Sequence, residues 1–235
     1  MTELTLPIIG YMHSSYKEKF GIPRQPNLVQ VESYIEMLAP YNDVLAFEGI
    51  EAFSHLWLVW QFHDNKNPEK TQFRPQVRPP RLGGNKKIGV FATRSMYRPS
   101  QIGLSVVRLK CVKKEGKSVR VYVTGSDLLD GTPIVDIKPY IHYSDAVINA
   151  ESGYAQDEPK RKSVIWSDRA IEQKQQLLMS EKLSVQTAQE LEAVLSLDPR
   201  PAYQDDEARV YKMKFAAVDI AFTVGETTVN ITAVE

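Results

Sequence analysis

Four short stretches carry side chains able to do chemistry. Arg24 and Gln25 stand between Pro23 and Pro26, His63-Asp64 closes the most apolar run of the chain, Arg94 follows Gly-Val-Phe-Ala-Thr, and Asp127 and Asp130 bracket Leu128 and Leu129. An arginine can fork onto a carboxylate. An aspartate accepts from hydroxyls or an ammonium group. A histidine exchanges its proton near neutrality. The inventory suits a small polar ligand, and it would suit many. Asp130 reads equally as a turn residue bonding its own backbone. His55 and His63 sit at opposite ends of one apolar run, without the spacing of a metal site, so no metal is expected.

A second feature is basic. Residues 78–105 hold Arg78, Arg81, Lys86, Lys87, Arg94 and Arg98, braced by Pro79, Pro80, Pro99 and the pair Gly83-Gly84. Cations held on fixed turns can assemble a site for negative or delocalised groups, although Pro and Gly mark purely structural turns as well.

Several classes are excluded. There is no GxGxxG and no GxxxxGK[ST], which disfavours Rossmann and P-loop enzymes. No GxSxG or Cys-His arrangement offers a covalent nucleophile. With 29 acidic and 29 basic residues the formal charge is zero, so any nucleic-acid surface must be a local patch. The single cysteine, Cys111, permits no internal disulfide and fits a reducing cytoplasm. The N-terminus does not read as a signal peptide. No apolar run approaches the roughly 20 residues of a membrane span.

The elements that must position these groups are mainly strands. Strand patterns fall at residues 4–12, 32–39, 55–62, 88–93, 102–112, 118–125 and 134–140, with 55–62 long and apolar enough to be a buried strand. Val119, Val121 and Val123 alternate cleanly. Many short strands and few helices predict a mainly β N-terminal barrel over 1–145. A polar linker is expected over 146–165. A small α+β unit follows over 166–235, with helices at 168–183 and 184–197, Ser184 as an N-cap, and three strands after Tyr211.

Taken in order, RPPRLGGN, GVFATRS, RP, IG and LLDGTPIVDIKPY resemble the TrmO family, and the resemblance runs on to DPRPAY near the end. That family comprises S-adenosylmethionine-dependent tRNA methyltransferases built on a small non-Rossmann β-barrel. The resemblance implies a cofactor pocket formed by Arg24, Gln25, Pro26, His63, Asp64, Arg94, Leu104 and the turn Asp127, Leu128, Leu129 and Asp130. Tyr16, Lys17 and Lys19 lie beside it. It also implies a homodimer, and methylation of N6 of threonylcarbamoyl-adenosine next to the anticodon. In that setting His63 is the candidate base. Arg78, Arg81, Lys86, Lys87 and Arg98 are expected to meet tRNA phosphates, with Tyr97 stacking on a base. Arg200 and Tyr203 form a second patch, unless the two prolines of DPRP merely end the preceding helix. Two other readings stay open on the residues alone: an RNA-binding β-barrel without catalysis, and an enzyme acting on a small anionic metabolite.

Overall fold

The computed structural model describes residues 4–64, 73–201, 204 and 206–235. Strands β1 (Gly10–His13), β2 (Glu32–Met37) and β3 (His55–Gln61) are followed by a two-stranded ribbon of β4 (Gln76–Val77) and β5 (Ile88–Gly89). Then come β6 (Ile102–Glu115), β7 (Ser118–Thr124) and β8 (Pro133–Pro139). Six of these strands close into a barrel in the order β1-β2-β7-β6-β3-β8, every neighbour antiparallel. Period-2 patterning fills it. Leu56, Leu58 and Trp60 of β3 and Val119, Val121 and Val123 of β7 point inward with Met12, Ile35 and Ile134.

Three expected strands differ in detail. Residues 4–8 stay outside β1, and Leu4 and Leu6 are exposed; Pro7 has no N–H to give to a ladder. Over 88–93 only Ile88 and Gly89 pair. Val90–Ala92 then turn as a 3-10 helix, closed by Thr93 Oγ1 donating to the Val90 carbonyl (2.7 Å). The run at 55–62 is half-buried rather than buried throughout. Trp57 faces outward and its Nε1 donates to Asp145 Oδ2 (2.8 Å) in the short helix α1 (His142–Asp145).

The polar stretch after α1 ends in β9 (Ser163–Trp166), which pairs in parallel with the last strand. Helices α2 (Asp168–Met179) and α3 (Val185–Leu195) follow, then β10 (Tyr211–Phe215), β11 (Val218–Val224) and β12 (Thr228–Val234). Ser184 Oγ accepts the Thr187 N–H (2.9 Å), which caps α3. The second sheet has the order β10-β11-β12-β9. Leu191, Val194 and Leu195 of α3 are buried in one core with Phe215, Ile220, Phe222 and Ile231. Tyr16, Val29 and Val31, from the segment joining β1 to β2, are buried in this same core.

Candidate functional site

Strand polarity gathers the predicted residues at one end of the barrel. With all neighbours antiparallel, β1, β7 and β3 end where β2, β6 and β8 begin. The segments meeting there are 14–31, 125–132, the stretch after Gln61 and the stretch before Ile102. They carry Arg24-Gln25-Pro26, Asp127 to Asp130, His63-Asp64 and Arg94.

Asp127 is the most perturbed group of this cluster. Its Oδ1 accepts from Ser105 Oγ at 2.6 Å, and Trp60 Nε1 donates to that hydroxyl at 3.0 Å. Burial pushes the carboxyl up to about 6, against the Ser105 hydroxyl, its own backbone N–H and the Arg94 guanidinium, which favour the ionised form. Trp60 can lie across β6 only because its partner there is glycine. A Cβ on Gly103 would come 2.3 Å from the indole ring.

Asp130 stitches the turn to the β1 end instead of bonding its own backbone. Its Oδ1 accepts the Ser14 N–H (2.9 Å) and its Oδ2 pairs with Lys17 Nζ (2.9 Å). Its backbone N–H donates to the Tyr16 carbonyl, and that of Gly131 to Met12. His63 stands next to this turn, since a Cβ on Gly131 would lie 4.0 Å from His63 Nε2. Partial burial lowers the His63 pKa below its ordinary value, with Lys19 adding to this and Asp64 opposing it. Lys19 Nζ holds Asp64 through both its carboxylate (3.5 Å) and its backbone carbonyl. Arg94 Nη1 donates to Gln25 Oε1 at 2.6 Å. Arg24 points elsewhere, and its Nη2 donates to the backbone carbonyl of Arg200 (3.0 Å). Pro26 is partly exposed beside Gln25.

The leucines expected at the cofactor behave differently from one another. Leu128 is buried in the barrel core and its carbonyl accepts from Ser14 Oγ, so its side chain serves the fold. The Leu129 carbonyl closes the turn by accepting from Thr132. Leu104 is 52% exposed on the outer face of β6, opposite the inward Ser105.

Among the residues expected to meet tRNA, Arg78, Arg81, Lys86, Lys87 and Tyr97 are exposed, and Arg98 is partly so. Arg74 lies 4.6 Å over the Tyr97 ring. From residue 73 to 101 the chain carries Arg74, Arg78, Arg81, Lys86, Lys87, Arg94 and Arg98 and no acidic residue at all. Arg200 is only 8% exposed. Its Nε and Nη2 fork onto Asp198 (2.9 Å each) and its Nη1 reaches the Val224 carbonyl, which turns the guanidinium inward rather than toward a phosphate. Tyr203 lies outside the described residues. Sequence reasoning missed Ser105, Trp60 and Gly103 as supports of Asp127. The inward position of a hydroxyl at Ser105, within an otherwise apolar alternation, was the signal available.

A closed antiparallel barrel with carboxylates, a histidine and an arginine at one end, and an acid-free basic stretch over residues 73–101, defines a non-Rossmann barrel protein. Comparison with known proteins narrows the class. The model of the tRNA-methyltransferase O N-terminal domain matches residues 11–146 and that of the TrmO C-terminal domain matches residues 159–235. The chain belongs to the TrmO family. It is 44% identical over 208 residues to the tRNA (adenine(37)-N6)-methyltransferase of Escherichia coli, covering 88% of this chain and 86% of that one. It is 44% identical over 223 residues to a putative S-adenosylmethionine-dependent methyltransferase, RcsF, of Pseudomonas aeruginosa, covering 94% and 92%. The crystal structure of TrmO from Pseudomonas aeruginosa superposes with a TM-score of 0.79 at 35% identity, over 100% of this chain and 99% of that one.

Proposed function

We propose that this chain is an S-adenosylmethionine-dependent tRNA methyltransferase acting on N6 of adenine 37, with threonylcarbamoyl-adenosine as the base it modifies. The observation that carries the reading is the gathering of Asp127, Asp130, His63 and Arg94 at one barrel end, in a chain 44% identical to a tRNA (adenine(37)-N6)-methyltransferase.

The residues present suit the cofactor. Burial takes the Asp127 carboxylate out of water and pushes its pKa up to about 6, so a cationic ligand that favours the ionised form is welcome there. Arg94 is placed to hold a carboxylate, with Gln25 steadying its guanidinium. S-adenosylmethionine, when bound, supplies an electrophilic methyl group on a good leaving group. The protein's own part is mainly alignment. The carbamoyl group next to N6 withdraws electron density from that nitrogen, so its proton must leave at or before transfer. His63 is the proposed acceptor, since its lowered pKa keeps the ring neutral at pH 7. The basic ribbon of residues 73–101 meets tRNA phosphates, and Tyr97 offers a face for stacking.

We further propose a homodimer in a reducing cytoplasm. In support of the dimer, a groove of about 690 Å³, lined by Leu6, Met37, Phe47, Ile50, Val59 and Ile137, lies on a different part of the barrel from the polar cluster. Light scattering decides whether the solution mass is that of two chains. In support of the compartment, Cys111 is the only cysteine.

Mass analysis of tRNA after incubation with protein and S-adenosylmethionine tests the activity. The expected product is one methyl group heavier at threonylcarbamoyl-adenosine. Salt-dependent tRNA binding with no cofactor binding and no mass change would instead favour a non-catalytic RNA-binding barrel.

A further inference from the structure

The DPRP segment has an assignment the proposed reaction does not use. We infer that the turn Asp198 to Pro201 is a positioning element for the cofactor site, holding the Arg24-Gln25 loop in place from the C-terminal unit. This rests on the cofactor reading above.

The loop belongs to the C-terminal core as much as to the barrel. Tyr16 meets Phe215 edge-on at 6.0 Å, and the Ala216 N–H donates to the Ser15 carbonyl (2.8 Å). The Lys214 N–H donates to Glu18 Oε1 (3.0 Å). Phe20 stacks on Tyr211 and Phe222, at 6.2 Å from each. Gly21 has φ +91 and presses on Met213, whose Cε would lie 2.5 Å from an added Cβ. On the barrel side Asn27 also holds the loop, its side chain donating to the Val106 carbonyl and its backbone to Gly125.

The turn adds the contact nearest the site. Arg24 Nη2 donates to the Arg200 carbonyl at 3.0 Å. That carbonyl is fixed from both sides. The buried Arg200 guanidinium is clamped on Asp198, which also pairs with Lys162 (3.3 Å). Pro201 restricts Arg200 to extended backbone. The next residue, Gln25, holds Arg94 at 2.6 Å. An uninterrupted path of contacts therefore runs from Asp198 through Arg200 and Arg24 to Gln25 and Arg94. Loosening its far end frees the loop to fluctuate, and ordering it again on binding costs affinity.

The test uses the full chain carrying Asp198→Asn or Pro201→Ala, with Leu191→Ala as a core control in the same unit. Calorimetry reads S-adenosylmethionine affinity, and hydrogen exchange of residues 21–27 is read in the free protein. Expected for both turn variants are a Kd for S-adenosylmethionine raised about tenfold, faster exchange at 21–27, and tRNA affinity without cofactor within about twofold of the parent. Leu191→Ala lowers Tm and leaves the Kd unchanged. A folded Asp198→Asn protein with parental Kd and exchange overturns the inference. So does an equal loss of cofactor affinity in Leu191→Ala, which would make the effect one of general stability. If Asp198→Asn does not fold, Pro201→Ala decides on the same criteria. If the parent binds no S-adenosylmethionine, the proposed function fails, while the exchange data still decide whether the turn holds the loop.

Discussion

Ser105 Oγ and Asp127 Oδ1 lie 2.6 Å apart, joining the middle of the barrel wall to the turn that leaves β7. The hydroxyl is itself held by Trp60 Nε1, so its proton is directed at the carboxylate. One carboxylate oxygen is thereby committed to the fold.

This relationship sets a pH dependence. Asp127 titrates near 6 in the folded chain against an ordinary 3.8. A folded-state pKa raised by burial means the native carboxyl binds its proton more tightly than the unfolded one. Its contribution to stability is therefore present below 3.8 and is lost as pH rises from 3.8 to about 6. Cofactor binding should run the other way, because a cationic ligand needs the ionised form. S-adenosylmethionine affinity is expected to fall about tenfold per pH unit below the Asp127 pKa and to level off above it. Ser105→Ala, lacking the donor that favours the carboxylate, moves the midpoint to higher pH. Asp127→Asn removes this component of the profile. Calorimetry from pH 5 to 8 reads all three, and parental pH dependence in Asp127→Asn would exclude the carboxylate as its source.

Gly103→Ala attacks the same support from outside the cluster. Its methyl group would stand 2.3 Å from the Trp60 ring, which is itself buried. Overpacking of this kind costs about 1–3 kcal/mol. Urea denaturation should show that loss, together with weaker cofactor binding as Trp60 releases Ser105. A fully stable variant would mean that the indole moves aside freely.

For His63, substitution by alanine should lower turnover at saturating cofactor by about a hundredfold or more if the imidazole accepts the N6 proton. Single-turnover methylation of tRNA measures this. The parental rate should fall as pH drops through the depressed pKa of the ring, because the protonated imidazole accepts nothing. Undiminished turnover in His63→Ala rules the base role out.

The basic ribbon makes a separable prediction. Replacing Arg78, Arg81, Lys86 and Lys87 by alanine should weaken tRNA binding and flatten its dependence on salt, by about 0.7–0.9 in log–log slope for each phosphate no longer neutralised. These side chains are exposed, so stability and S-adenosylmethionine affinity should stay at parental values. An unchanged salt slope would place the tRNA elsewhere.

The sequence by itself determined what is local. Val119, Val121 and Val123 wrote one wall of the barrel, because alternation alone decides which face of a strand is apolar. Ser184 announced the start of α3 because capping is a contact between near neighbours. The polar groups of the candidate site stood out at strand ends for the same reason. Only the tertiary structure decided which of them meet. Ser105 and Asp127 are brought together by barrel closure, and Arg24 meets Arg200 across 176 positions of chain. Leu128 read as a pocket residue and went to the core; Arg200 read as a phosphate ligand and became a buried clamp. Tyr16, Val29 and Val31 joined the C-terminal core for a related reason. Burial is set by every element that packs around a residue, and no local pattern records which distant segment will come to cover it.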